Sequence, residues 1–148
     1  TGKEMELFTN KIPLEEKKIT AEVCVHHLWF TNDDYATKGN FIKWNPAVKT
    51  AKDRDALWKA LNDDRIDVIA TDHAPHTLEE KKQSYLKAPS GGPLVQHAVV
   101  AMFEAHHQDR KTWFYQRRLF CRFGNCKSRF ALGSEKREYF CKMWMVSI

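Results

Sequence analysis

The sequence predicts an α/β fold with parallel strands. Three observations carry that expectation. Residues 19–25 and 66–70 are short runs rich in apolar and β-branched side chains, which read as strands. Residues 51–63, between them, show helical periodicity: Ala56, Leu57, Ala60 and Leu61 recur on one face, with Trp58 on its flank. A largely apolar helix over residues 94–107 follows the second strand. Helix, strand, helix, strand, helix is the order of a parallel α/β unit. Two strands cannot close a barrel or form a covered parallel sheet, so the chain reads as part of something larger.

Each element has its own local reason. Residues 2–8 read as helix, with Met5, Leu7 and Phe8 available for burial. Pro13-Leu14-Glu15-Glu16-Lys17-Lys18 fits one helical turn, with proline at the first helical position and acids close behind it. The strand over residues 19–25 runs into His26-His27, expected at its end and therefore on opposite faces. Thr31-Asn32-Asp33-Asp34 is a helix-start signal. Residues 41–46 are irregular, because Pro46 biases Asn45 away from helix.

The stretch Asp67-Val68-Ile69-Ala70-Thr71-Asp72-His73-Ala74-Pro75-His76-Thr77 organises the chain. Val68-Ile69-Ala70 is the buried strand, and Pro75 forbids its continuation. Asp72 is thereby placed at a strand's C-terminal edge, where α/β enzymes assemble their sites. A carboxylate there holds a metal or takes a proton, and a histidine just beyond can hold an anion. Pro89-Ser90-Gly91-Gly92-Pro93 is a loop.

Length and composition narrow the classes. At 148 residues and 43% hydrophobic, the chain suits one domain. No apolar run is long enough for a bilayer and nothing resembles a signal peptide, so no membrane partner is expected. Four cysteines without paired spacing point to a reducing, cytoplasmic setting. The net charge of +5 is unevenly placed: residues 109–148 hold ten Lys/Arg against three Asp/Glu, leaving residues 1–108 at −2. The basicity belongs to the tail and does not argue for nucleic acid as partner of the rest.

Several motifs over residues 1–108 together resemble dihydroorotase of the zinc amidohydrolase superfamily. They are Thr20-Ala21-Glu22-Val23 with His26-His27-Leu28, then Asn45-Pro46, then Thr71-Asp72-His73-Ala74-Pro75-His76-Thr77-Leu78-Glu79-Glu80-Lys81, then Ala88-Pro89-Ser90-Gly91. The Asp-His-Ala-Pro-His-Thr run is the specific one. The resemblance implies the C-terminal portion of a TIM-like (β/α)8 metal-dependent hydrolase barrel, incomplete in this chain, which would supply its last two strands. It implies reversible conversion of dihydroorotate and N-carbamoyl-L-aspartate in pyrimidine biosynthesis, at a binuclear zinc centre, in proteins that are often oligomeric. Asp72 would be a metal ligand and the proton shuttle. Asn45, His76, Ser90 and Gly91 would contact substrate, the glycine allowing close approach. The His-x-His pair, the bridging lysine or aspartate and the remaining histidine ligands of the family pattern have no counterpart in the chain, so the chain alone is expected to be inactive. His26-His27 is not a ligand pair in that pattern and is expected to be structural.

Residues 109–148 leave the pattern abruptly. Lys142-Met143-Trp144-Met145 is encoded AAR-ATG-TGG-ATG; read one base later, this gives Lys or Arg and then Cys-Gly-Trp, part of the family's Lys-Cys-Gly-Trp-Ser-Pro tail motif. Thr112-Trp113-Phe114-Tyr115 shifted the same way permits Arg-Gly-Phe-Ile, another tail motif. The expectation is a frameshifted tail, testable in the DNA, with Cys121 and Cys126 not forming a zinc site. Competing readings are a non-catalytic amidohydrolase-like scaffold, a hydantoinase- or allantoinase-type hydrolase, and a small nucleic-acid binder driven by the tail.

Overall fold

The structure, a computed structural model, describes residues 1–108. The expected division at residue 108 and the readings of the tail lie outside or at the border of the described residues.

The centre is a parallel pair, β1 (Glu22–Cys24) and β2 (Val68–Ala70), in the register Glu22 to Val68, Val23 to Ile69 and Cys24 to Ala70. Asp67 sets that register. Its carboxylate accepts from the Ala21 N–H at 3.0 Å and pairs with Lys17, the two side chains being only 7% and 5% exposed. The backbone N–H groups of Asp67 and Val68 in turn donate to the Ala21 carbonyl. Both strands therefore start level, and their C-terminal tips end level.

Helices α1 (Val25–Trp29), α2 (Tyr35–Lys38), α3 (Ala51–Asn62), α4 (Leu78–Lys81) and α5 (Ala98–His107) complete the described α/β unit, with 3-10 turns at Gly2–Leu7, Asn32–Asp34 and Gly39–Ile42. Thr50 caps α3, its hydroxyl accepting from the Asp53 N–H at 3.2 Å. The Asp53 carboxylate also accepts from the Gly2 N–H at 2.9 Å, which docks the N-terminal turn. The core joins Val23 and Ile69 of the strands to Met5, Leu28, Trp58, Leu61 and Met102. A second cluster gathers Ile42, Trp44 and Val48 against Phe30, Tyr35 and Leu94. Among the described residues no helix is long and apolar enough to cross a membrane.

Several expectations need correction. The first strand is confined to Glu22–Cys24, and Ile19 is 75% exposed. The chain turns into α1 at Val25, because Val25, His26 and Leu28 bury on one side of a helix better than on an alternating strand. His26 and His27 therefore sit on a helix and do not face opposite ways: their rings lie 4.2 Å apart. Trp58 is core rather than flank, donating from Nε1 to the Leu28 carbonyl at 2.9 Å. Leu7 is exposed, and α5 begins at Ala98 rather than at residue 94. Helix α4 was not anticipated as an element.

Candidate functional site

The chain leaves β2 through Thr71 and turns sharply at Asp72, which has φ 46°. Only short polar side chains and glycine tolerate that left-handed region readily. The exposed carboxylate stands off the strand tip and makes no hydrogen bond or ion pair among the described residues. Its charge is felt at the neighbouring tip of β1. The Cys24 thiol is pushed up to about 12, by burial first and then by Asp72 and Glu22. His27 is lowered, by burial first, while the Pro46 carbonyl and Asp72 work the other way.

Beyond Asp72 the chain is tied down residue by residue. His73 bridges in parallel to Gly92, and its Nδ1 accepts from the Val95 N–H at 3.2 Å. The Ala74 N–H donates to the Gly92 carbonyl at 3.2 Å. The His76 Nε2–H donates to the Ser90 carbonyl at 3.0 Å, and its Nδ1 lies 3.8 Å from Glu80. Thr77 and Glu80 close a capping box on α4: Thr77 Oγ1 accepts from the Glu80 N–H and the Glu80 carboxylate from the Thr77 N–H. This holds the Glu80 carboxyl below its ordinary range, the Thr77 backbone first and its hydroxyl second.

Gly91 is required by packing. Its φ is +133°, and a Cβ there would stand 2.7 Å from both Cβ and O of Ala74 and 3.0 Å from His76 Nε2. The close approach is thus to the 74–76 segment, and the Gly91 N–H is taken by the Lys43 carbonyl at 3.0 Å. Lys81 locks the assembly. It is 6% exposed, and its Nζ donates to the carbonyls of Gly91 (2.9 Å), Pro89 (3.1 Å) and Lys43 (3.3 Å). Burial, and then the charge of Lys43, lower its basicity. Lys43 grips the same loop, donating to Tyr85 O and Ala88 O at 2.6 Å each.

Asn45 follows directly on this knot, exposed, with a cis bond to Pro46. The Pro46 carbonyl accepts from His27 Nε2 at 3.1 Å, so the 45–46 segment reaches α1, on the Asp72 side. Trp44 fills the space between. It stacks on His26 at 4.3 Å and lies 2.9 Å from where a Gly92 side chain would begin. Among the described residues, two buried nitrogens here have no hydrogen-bond partner, His26 Nδ1 and Trp44 Nε1. Each such group costs about 1–3 kcal/mol. His26 is neutral, lowered to about 3 by burial and then by His27.

The structure thus joins His76, Ser90 and Gly91 by direct contact, links Asn45 to them through Lys43, and sets Asp72 at the adjacent strand tip. Lys81 and Trp44 are the residues to which the sequence alone gives no role, and His27, expected to be structural, holds the Pro46 carbonyl. The capping box was a visible signal for α4, and hence for a lysine at its end. A hollow lined by Phe30, Thr31, Lys38 and Arg54 lies elsewhere and includes none of these residues.

No family profile matches the chain. Curated relatives do. The dihydroorotase of Halobacterium salinarum is 44% identical over 89 residues, 60% of this chain and 21% of that protein. The dihydroorotase of Enterococcus faecalis is 52% identical over 73 residues, 49% of this chain and 17% of that protein. The chain is similar to dihydroorotase. It spans about a fifth of the length of the curated dihydroorotases it matches. Solved structures agree in fold: dihydroorotase from Saccharomyces cerevisiae in complex with 5-fluoroorotic acid has a TM-score of 0.64 at 22% identity, covering 74% of this chain and 31% of that one. L-hydantoinase (dihydropyrimidinase) from Arthrobacter aurescens has a TM-score of 0.67 at 24% identity, covering 75% and 25%.

Proposed function

We propose that this chain is part of a cytoplasmic dihydroorotase-type cyclic amide hydrolase. It would supply the last two strands of a (β/α)8 barrel and one wall of the site. The observation that supports this most directly is the juxtaposition of Asp72 at the strand tip with the knotted loops carrying Asn45, His76 and Ser90-Gly91, within a chain 44–52% identical to dihydroorotases over the matched stretches.

Asp72 would take the proton of a water attacking the ring amide carbon of dihydroorotate and return it to the leaving ring nitrogen. The reverse sequence closes N-carbamoyl-L-aspartate. Asn45 offers an exposed amide to the ureide or carboxylate edge. His76 and Ser90 would act as one unit, since the imidazole holds the Ser90 loop. Gly91 serves this by letting the two segments touch.

The binuclear zinc centre of the family pattern does not fit on the described residues alone. Asp72 is a single carboxylate, and the one group of three ligand-type side chains among the described residues, Cys24, His26 and His27, does not include it. No chemical step is therefore assigned to metal on this chain.

Two assays test the reading. The purified 148-residue chain is expected to show no metal-dependent hydrolysis of dihydroorotate; measurable turnover would contradict it. Residues 1–108 exchanged into the matching segment of the Enterococcus faecalis protein are expected to retain dihydroorotate hydrolysis and to lose it with Asp72→Ala. A chimera that folds but prefers hydantoin would move the reading to the hydantoinase type.

A further inference from the structure

We propose that Cys24, His26 and His27 form a zinc-binding site of their own at the tip of β1, distinct from the carboxylate position at Asp72. One donor atom from each of the three lies within 4.8 Å of the other two. Cys24 ends the strand, and the two histidines occupy the first turn of α1, so the backbone itself holds the three together.

The chemistry of each ring fits a ligand. The His27 Nε2 faces the Pro46 carbonyl at 3.1 Å, and a carbonyl can only accept. Nε2 therefore carries the proton, and Nδ1 keeps the lone pair. A second-sphere carbonyl that fixes the tautomer in this way is what zinc-bound histidines usually have. His26 is 1% exposed, and its Nδ1 has no hydrogen-bond partner among the described residues. Buried imidazole nitrogens are normally satisfied, and a bound cation would satisfy this one. Its ring is fixed by stacking on Trp44, so it cannot turn toward water without breaking that packing.

One sulfur and two nitrogens select zinc over magnesium or calcium. Three protein ligands leave a fourth tetrahedral position open. Zinc–ligand bonds of about 2.0–2.3 Å put neighbouring donors about 3.5 Å apart, so the atoms have to close by roughly 1 Å. Glu22 and Asp72 lie near enough to act on Cys24, and their charge favours a cation there. The thiol proton is released to solvent as the Zn–S bond forms; no electron is transferred. The site does not depend on the hydrolase reading, because its ligands differ and its test uses no turnover.

The test is cobalt titration of the purified metal-free chain under a thiol-sparing reductant. The expected result is one equivalent of Co2+ giving a thiolate-to-cobalt charge-transfer band, displaced by Zn2+. Cys24→Ser abolishes that band although Cys121, Cys126 and Cys141 remain. His27→Gln weakens binding about tenfold or more. A band that survives Cys24→Ser, or cobalt bound with no thiolate band, overturns the site. The unaltered chain supplies a check free of folding effects. All seven histidines precede residue 108, so Zn2+ must shift the ring 15N resonances of His26 and His27. Rings that stay unmoved at saturating zinc also overturn it.

Discussion

Replacing Asp67 by alanine is the sharpest test of how the two strand tips come to lie level. The Asp67 carboxylate takes the Lys17 ammonium on one oxygen and the Ala21 N–H, at 3.0 Å, on the other. Both side chains are nearly sealed from water, at 5% and 7% exposure, so solvent screening hardly weakens the pair. Asp67→Ala leaves the Lys17 ammonium with only the Asp64 carbonyl, at 3.2 Å. Breaking a buried pair from one side costs about 3–5 kcal/mol, a large share of the 5–15 kcal/mol typical of a whole domain. The partner experiment removes both charges together, as Lys17→Met with Asp67→Ala. That pair of changes is expected to be far milder than the sum of the single ones, because no charge is left stranded. Urea denaturation followed by tryptophan fluorescence reads all four corners of the cycle, Trp58 being buried in the core. A single-site cost below about 1 kcal/mol would mean that the pair behaves as a surface bridge, and the account of the register would fail.

Three further outcomes follow from the same geometry. With chelator present, acid should destabilise the fold through His26: its folded pKa of about 3 lies below the ordinary 6.5, so the unfolded chain binds the extra proton. Stability is full above 6.5 and falls by about 1.4 kcal/mol per pH unit as pH drops from 6.5 toward 3; His27 shifts in the same direction, and His26→Leu should flatten the profile in urea melts across that window. Gly91→Ala places a methyl 2.7 Å from the Ala74 carbonyl oxygen at φ +133°, which should cost about 1–3 kcal/mol and move the His76 ring resonances; an unchanged melt and spectrum would refute the packing account. Lys81→Met leaves the Lys43, Pro89 and Gly91 carbonyls without their shared donor; it should cost about 3 kcal/mol and open residues 88–93 to limited proteolysis.

What was legible in the sequence was what short-range chemistry controls. Pro75 ended the second strand, Thr31 marked the start of a turn, and the spacing of Ala60 and Leu61 gave α3. The parallel pairing followed from element order and is observed. What misled was residues 19–25. Val23 and Val25 favour strand intrinsically, yet the structure spends Val25, His26 and Leu28 on a helix face, because Leu28 and Trp58 meet there. Tertiary packing overrode propensity. Helix α4 was hidden by its length, four residues being too few for periodicity to show. Its capping box was nonetheless written in Thr77 and Glu80.

The site divides along the same line. Asp72, Asn45, His76, Ser90 and Gly91 were named from a motif, and a motif carries no account of why its members stand where they do. The structure adds that account. Lys81 is part of the run Thr77-Leu78-Glu79-Glu80-Lys81 because α4 must end with an ammonium inside the loop, where three carbonyls converge. His76 and Gly91 are needed together, since the glycine makes room for the imidazole that holds Ser90. A run of residues read as a substrate contact surface is therefore in large part a scaffold. Among the described residues, Asp72 and Asn45 extend an exposed carboxylate and an exposed amide from it. Substitutions at those two should alter binding or turnover in a complete enzyme while leaving the melt of this chain nearly unchanged. Substitutions at His76, Gly91 or Lys81 should alter both.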